Sequence, residues 1–143
     1  MYCDFFGFSE KPFEIAPDFK FLYLTPRYQE TLNSLVSGIR ERLGLIVLTG
    51  REGVGKGTLL RAATERLDES TKVVQMVSND LPFEYLLAMA LVELGLSKPE
   101  EDLPGPEAFD RLKHYAEKQF ANDSNVVFVI KDAQNLDNQA IKN

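Results

Sequence analysis

The sequence predicts a three-layer α/β/α fold with a mainly parallel sheet, and two observations lead to this fold class. Three short apolar runs, at residues 45–48, 72–77 and 125–130, are rich in branched residues and predict buried strands. Stretches of helical periodicity lie between these runs, so strands and helices alternate along the chain. A chain of 143 residues has room for one such domain.

Four helices are expected. The first covers residues 26–43, where apolar side chains recur at steps of three and four; Thr25 and Pro26 form a good N-cap pair, and Gly44 ends the helix. Its apolar stripe comprises Tyr28, Leu32, Leu35, Val36, Ile39 and Leu43. The other helices are expected at residues 56–67, 83–94 and 107–120, the last with Phe109, Leu112, Ala116 and Phe120 on one face. Residues 97–106 are expected to form a surface linker.

Composition excludes several classes of protein. The start of the chain has neither the basic stretch nor the apolar core of a secretory signal, and no apolar run approaches the roughly 20 residues that span a bilayer. Cys3 is the only cysteine, which indicates a cytosolic chain without an internal disulfide. The net charge of −6 argues against a nucleic-acid-binding surface. We therefore expect a cytoplasmic protein with no nucleic-acid partner.

The first 25 residues form a separate, irregular segment that is rich in aromatic residues. The aromatic side chains are Tyr2, Phe5, Phe6, Phe8, Phe13, Phe19, Phe21 and Tyr23. So many rings are unfavourable in water, so residues 1–25 are expected to pack on the body formed by residues 26–143.

A glycine-rich loop over residues 50–58, Gly-Arg-Glu-Gly-Val-Gly-Lys-Gly-Thr, lies between a predicted strand and a predicted helix. Glycines let backbone N–H groups approach a triphosphate, the helix adds its positive N-terminal end, and a lysine reaches the outer phosphates. The candidate nucleotide-binding residues are Gly50, Gly53, Val54, Gly55, Lys56, Gly57, Thr58 and Leu59. A glycine-rich turn without a ligand is the alternative.

Gly57 departs from the strict form of this loop, which has Ser or Thr directly after the lysine to ligate Mg²⁺. Thr58 does not simply substitute, because one helical step turns a side chain by about 100°. The Gly-Lys-Gly-Thr order resembles the loop of adenylate-kinase-like enzymes, which also bind nucleotide. We therefore expect ATP to bind here, with Mg²⁺ held weakly or indirectly and no metal ligand identified.

A second candidate position is the end of the third predicted strand, where P-loop ATPases place two acids. Lys131 stands at the first of these positions and Asp132 at the second. Two interpretations remain open. In the first, Asp132 is a catalytic residue that positions water, and ATP hydrolysis is slow or absent. In the second, Lys131 extends to solvent and Asp132 caps the next turn.

With both positions placed, the chain resembles the secretion-pathway ATPases of the ExeA/GspA type, a branch of the AAA+ superfamily. The resemblance covers nearly the whole chain and is most specific near the N-terminus. The matching segments are residues 1–2 (Met-Tyr), 5–8 (Phe-Phe-Gly-Phe), 12–13 (Pro-Phe), 17–18 (Pro-Asp), 21–24 (Phe-Leu-Tyr-Leu), 55–61 (Gly-Lys-Gly-Thr-Leu-Leu-Arg) and 131–136 (Lys-Asp-Ala-Gln-Asn-Leu). The family usually has Gly-Lys-Thr-Thr and Asp-Glu-Ala-Gln in the last two segments, so both departures fall on metal or catalytic positions.

The resemblance implies the N-terminal part of an AAA+ ATPase domain that works as a homo-oligomer with an inner-membrane secretion or pilus-assembly partner. Lys56 and Asp132 are its implied catalytic residues, and the inner face of the inner membrane is an implied location. The superfamily carries a further strand, sensor residues and an arginine finger after the acidic position. We therefore expect a chain that is incomplete at its C-terminus, with a truncated relative that needs a partner as the alternative.

Two other functions compete with an ATPase. A non-catalytic scaffold would keep the fold and bind nucleotide, as Gly57 and Lys131 suggest. A nucleoside monophosphate kinase fits less well, because roughly 45 residues precede the loop and no arginine-rich lid follows it. Leu24, Thr25 or Tyr28 is a candidate for the adenine pocket, and His114 is expected at the surface.

Overall fold

The computed structural model describes residues 2–9, 23–78, 82–101 and 104–136. Within these ranges the chain forms α1 (Tyr2–Phe6), α2 (Pro26–Arg40), α3 (Lys56–Thr64), β1 (Thr71–Val77), α4 (Phe83–Glu93), α5 (Gly105–Ala121), β2 (Asn125–Lys131) and a short 3₁₀ helix (Ala133–Asn135). The chain divides into two compact units, Met1–Leu67 and Asp68–Asn143. The strand and helix order matches the predicted α/β alternation, apart from the run at residues 45–48 and from α1, which lies in the segment predicted to be irregular.

In the first unit, α2 packs against α3. Their shared core consists of Leu32, Leu35, Val36, Leu59, Ala62 and Ala63, with Leu24, Tyr28, Leu48 and Leu67 packed against it. The predicted cap is present: the Tyr28 backbone N–H donates to Thr25 Oγ1 at 3.3 Å. This bond satisfies one of the free N–H groups at the start of α2.

Helix α2 ends earlier than the sequence predicts, and Gly44 does not end it. Arg42 takes the left-handed conformation instead, with φ of 55°, and its N–H donates to the Ile39 carbonyl at 3.1 Å. The Leu43 N–H donates to the Gly38 carbonyl at 3.1 Å, which completes a Schellman motif. The helix therefore stops at Arg40, and Leu43, predicted on its apolar stripe, is exposed.

Residues 45–48 pair with no other strand among the described residues. Exposure alternates along the run: Leu45 is 82% exposed, Ile46 39% and Val47 71%, whereas Leu48 packs against the core of α2 and α3. The prediction of a strand buried on both faces is therefore wrong for this structure. An extended segment becomes a buried strand only when neighbouring strands bind its backbone groups and helices cover both faces.

In the second unit, β1 and β2 form a parallel pair, in register from Thr71 opposite Asn125 to Val77 opposite Lys131. Val74 and Met76 point to the face that packs on Leu86 and Ala90 of α4. Helices α4 and α5 meet through Leu87, Leu91 and Ala108. Parallel pairing requires a crossover of this kind, so the predicted parallel α/β arrangement is confirmed here.

Helix α5 begins and ends within two residues of its predicted bounds, but its buried face differs. Ala108 is its buried residue, whereas Phe109 and Phe120, which were expected to face inward together, are exposed. Asp123 follows the helix with φ of 58°, and the Ser124 N–H donates to the Gln119 carbonyl at 2.9 Å. The chain therefore turns directly into β2.

Part of the predicted linker is tied to α5, since Arg111 binds the Leu96 carbonyl at 3.2 Å and the Glu101 carboxylate at 3.0 Å. The Ser97 hydroxyl and the Arg111 guanidinium hold the pKa of the Glu101 carboxyl below its ordinary value. This contact is therefore retained at neutral pH and is lost as acid protonates Glu101 below its lowered pKa.

Most of the aromatic N-terminal segment, residues 10–22, lies outside the described residues, as do Asn79 and Asp80 before α4. In the described part, Phe5, Phe6 and Phe8 are exposed, and the Phe6 ring contacts the other two. The packing of residues 1–25 on the core thus stays a prediction. No helix in the described ranges combines the length and the apolar content needed to cross a bilayer.

Candidate phosphate-binding site

The backbone of the glycine-rich loop favours glycine at two positions, and a third glycine is closely packed. Gly53 and Gly55 have φ of 77° and 86°, in the left-handed region that side chains disfavour. Gly50 has a different constraint, because a Cβ there would lie 3.2 Å from Val54 Cγ2 and 3.7 Å from Lys56 Cδ. The loop is therefore tightly turned at two points and closely packed at a third.

Gly55 is the N-cap residue of α3 and Lys56 is its first helical residue. The Gly55 carbonyl accepts the Leu59 N–H at 2.9 Å, which begins the helical hydrogen-bond pattern. Leu59 is buried between α2 and α3 and anchors this first turn. The first turn of α3 carries no acidic residue, so its positive N-terminal end is available to an anion.

The Lys56 side chain folds back along the loop. Its Nζ donates to the Gly50 carbonyl at 2.9 Å and to the Arg51 carbonyl at 3.0 Å. The lysine charge is thus held against the loop backbone by two carbonyl oxygens. Lys56 is also the first residue of α3, so the loop carries both a cationic side chain and a helix N-terminus.

Gly57 differs from the other glycines of the loop. It lies inside α3, is exposed, and a Cβ built on it would meet nothing within 4 Å. The open space around Gly57 would admit a side chain, and its predicted part in nucleotide binding stays a prediction. A serine or threonine would fit at this position.

Tyr28 of α2 contacts the loop directly, whereas the sequence predicted it only as a candidate for the adenine pocket. Its hydroxyl donates a hydrogen bond to the Val54 carbonyl. A Cβ on Gly55 would lie 3.8 Å from the Tyr28 hydroxyl oxygen. No spacing rule links residues 26 positions apart, so only the packing of α2 against α3 shows this contact.

At the second candidate position, β2 ends at Lys131 and Asp132 leaves the strand with φ of 55°. Asp132 opens the 3₁₀ helix through its backbone, since its carbonyl accepts the Asn135 N–H at 2.9 Å. Its exposed side chain makes no capping hydrogen bond within the described chain. The alternation of side chains between the two faces of the strand therefore stops at Lys131. The backbone conformation of the turn sets the direction of the Asp132 side chain.

The turn after Asp132 is also tied to the end of β1. The Ser78 N–H donates to the Lys131 carbonyl at 2.9 Å, and Asn135 Nδ2 donates to the Ser78 carbonyl at 3.4 Å. Ser78 is fully buried, and its hydroxyl has no partner among the described residues. Ser78 was not predicted, because a single polar residue after a strand carries no distinctive pattern, and Asn135 was noted only within the matching segment 131–136.

The candidate residues divide between the two units. The loop and Tyr28 belong to Met1–Leu67, whereas Lys131 and Asp132 belong to Asp68–Asn143. Within the first unit, the structure brings Gly50, Val54, Gly55 and Lys56 together with Tyr28. The catalytic role predicted for Asp132 stays a prediction.

The residues at the expected magnesium positions do not fit direct ligation of Mg²⁺, which prefers oxygen ligands. Gly57 offers no side-chain oxygen, and Lys131 offers a cation. Over the described ranges, no group of three or more His, Cys, Asp and Glu side chains is arranged to hold a metal ion.

Comparison with known proteins identifies the family. The sequence profile described as "AAA domain" matches residues 39–143, which include the glycine-rich loop, both strands and Asp132. The chain belongs to the AAA domain family. The α/β P-loop fold class predicted from the sequence is thereby confirmed.

A curated relative of this AAA domain is the general secretion pathway protein A of Aeromonas hydrophila. The two are 32% identical over 136 residues, which is 95% of this chain and 25% of the relative. The chain thus spans a quarter of the relative's length. No solved structure gives a significant match. The resemblance to the ExeA/GspA type is confirmed by the family match and this relative together.

Proposed function

We propose that this AAA domain binds ATP as part of an ATPase that serves a secretion or pilus-assembly system. The observation that carries the proposal is the loop geometry: Gly55 in the left-handed conformation opens α3, and Lys56 lies beside the helix N-terminus. The relative named for the general secretion pathway supports the cellular role. In this proposal the backbone N–H groups of residues 53–58 bind the phosphates and Lys56 Nζ moves from the loop carbonyls to the outer phosphates.

Titration of the 143-residue chain with ATP tests the binding step. We expect saturable binding, with ADP competing and AMP competing poorly, because the loop recognises the outer phosphates. Calorimetry or a fluorescent ATP analogue measures it. Absence of saturable binding below about 1 mM, where the binding free energy is only about 4 kcal/mol, would exclude this function.

A non-catalytic nucleotide-binding scaffold is the second candidate, and Lys131 favours it. A lysine at the first acidic position removes a carboxylate that other P-loop ATPases use with the metal. Under the ATPase proposal, Asp132 orients the attacking water. Turnover of ATP by the full-length protein separates the two candidates: sustained phosphate release that disappears in Asp132→Ala supports the ATPase, and binding without release supports the scaffold.

We expect ATP binding to depend little on magnesium. Because Gly57 has no hydroxyl, the ATP dissociation constants in Mg²⁺ and in EDTA should agree within about threefold, or less than 1 kcal/mol. Gly57→Ser restores the hydroxyl at a position with open space, and it should make binding up to about tenfold tighter in Mg²⁺ than in EDTA.

Gly57→Ala is the matched control, since it adds the Cβ without the hydroxyl. A large loss of wild-type affinity in EDTA would show that magnesium is bound by other groups.

The proposal also places the protein in the cytoplasm, at the inner face of the inner membrane, as a homo-oligomer with a membrane secretion partner and without nucleic acid. The net charge of −6 agrees with the last point. Light scattering of the full-length protein with and without ATP tests assembly, and a monomer under both conditions would contradict it.

A further inference from the structure

We propose that Tyr28 is a positioning residue that holds the phosphate loop in its ligand-binding conformation, an inference that rests on the proposed nucleotide site. Tyr28 lies on α2, and its hydroxyl donates to the carbonyl of Val54 in the loop. This contact joins the loop to a helix outside the motif. Tyr28 thereby acts on the phosphates through the backbone.

The Tyr28 side chain is well placed to act as a fixed support. Its ring packs against the core that α2 and α3 share, and its backbone N–H is bound by the Thr25 cap. The base of the side chain is thus held by α2, while its hydroxyl reaches the loop. A support of this kind costs little conformational entropy, because an aromatic side chain has only two rotatable bonds.

The hydrogen bond sets the direction of one peptide plane. In a trans peptide the C=O of one residue and the N–H of the next point in opposite directions. Because Tyr28 holds the Val54 carbonyl on the α2 side, the Gly55 N–H is directed away from α2. In our proposal, this N–H is one of the donors to phosphate.

The same contact favours the left-handed turn at Gly55. The residue has φ of 86°, and a Cβ on it would be in van der Waals contact with Tyr28, 3.8 Å from the hydroxyl oxygen and 3.9 Å from Cε1. Without the hydroxyl, the flexible Val54–Gly55 peptide would be free to rotate. Tyr28 therefore reduces the number of loop conformations before the ligand arrives, which improves affinity.

Tyr28→Phe tests this inference, because it removes only the hydroxyl and keeps the ring in the core. We expect about fivefold weaker binding of ATP, equivalent to roughly 1 kcal/mol for one neutral hydrogen bond. Inorganic tripolyphosphate, which has no base, should lose the same factor. Amide hydrogen exchange of residues 50–58 should accelerate, while that of residues 26–40 should stay unchanged.

Tyr23→Phe is the matched control, since Tyr23 is 86% exposed and the substitution is the same. Loss of ATP affinity without loss of tripolyphosphate affinity would overturn the inference, because it would place Tyr28 against the base. Unchanged affinity for both ligands, or unchanged exchange of the loop, would also overturn it. If the wild-type chain binds neither ligand, the proposed function fails, and loop exchange in Tyr28→Phe still decides whether Tyr28 holds the loop.

Discussion

Lys56→Met is expected to weaken ATP binding by about 100-fold, the equivalent of losing charge-assisted hydrogen bonds worth nearly 3 kcal/mol. Lys56 is the first residue of α3, and its Nζ donates to the Gly50 and Arg51 carbonyls of the loop. Methionine keeps the unbranched stem that packs near Gly50 and removes the three N–H donors. Calorimetric titration with ATP measures the loss.

Lys113→Met is the matched control, because Lys113 is an exposed lysine on α5 and the substitution removes the same charge. It should leave ATP affinity unchanged within about twofold, as surface charges have small effects. The Lys56 variant should also unfold at nearly the same urea concentration as the wild type. ATP binding that survives in folded Lys56→Met would place the nucleotide away from this loop.

Leu32→Ala is expected to lower the free energy of unfolding of the first unit by about 3 kcal/mol. Leu32 is 0% exposed and lies in the core between α2 and α3, so the substitution removes buried apolar area and leaves a cavity. Urea unfolding followed by circular dichroism measures the change. Because the chain contains no tryptophan, tryptophan fluorescence does not follow unfolding. Amide exchange of residues 26–40 measures the loss of stability within α2.

Leu45→Ala is the matched comparison, because the sequence prediction and the structure give different expected losses of stability for it. The sequence predicts residues 45–48 as a strand buried on both faces, so that Leu45→Ala would cost as much as Leu32→Ala. In the structure Leu45 is 82% exposed, and we expect a cost below about 0.5 kcal/mol. A cost near that of Leu32→Ala would show that both faces of this run are covered in solution.

Local sequence patterns predicted the elements of the site well, and the reasons are local. Gly53 and Gly55 adopt the left-handed conformations that glycine permits, and Lys56 begins α3 where the loop ends. The Thr25 cap also forms as predicted, since its hydrogen bond spans only three residues. Each of these features depends on neighbours within one turn of chain.

Other predictions were wrong where two local signals competed. Gly44 was expected to end α2, but Arg42 adopts the left-handed conformation two residues earlier, because the Schellman hydrogen bonds form there. The role of Gly57 in the loop stays a prediction, because open space around it does not show whether a phosphate approaches it.

By itself, the sequence determined the fold class, the glycine-rich loop between the predicted strand and helix, and the departures at Gly57 and Lys131, because these depend on periodicity and on residue identity. Only the tertiary structure decided which segments meet. It pairs β1 with β2, leaves residues 45–48 with one packed face, and places the Tyr28 hydroxyl on the Val54 carbonyl. Such contacts join residues far apart in the chain and arise from the packing of whole elements, which a local pattern does not encode.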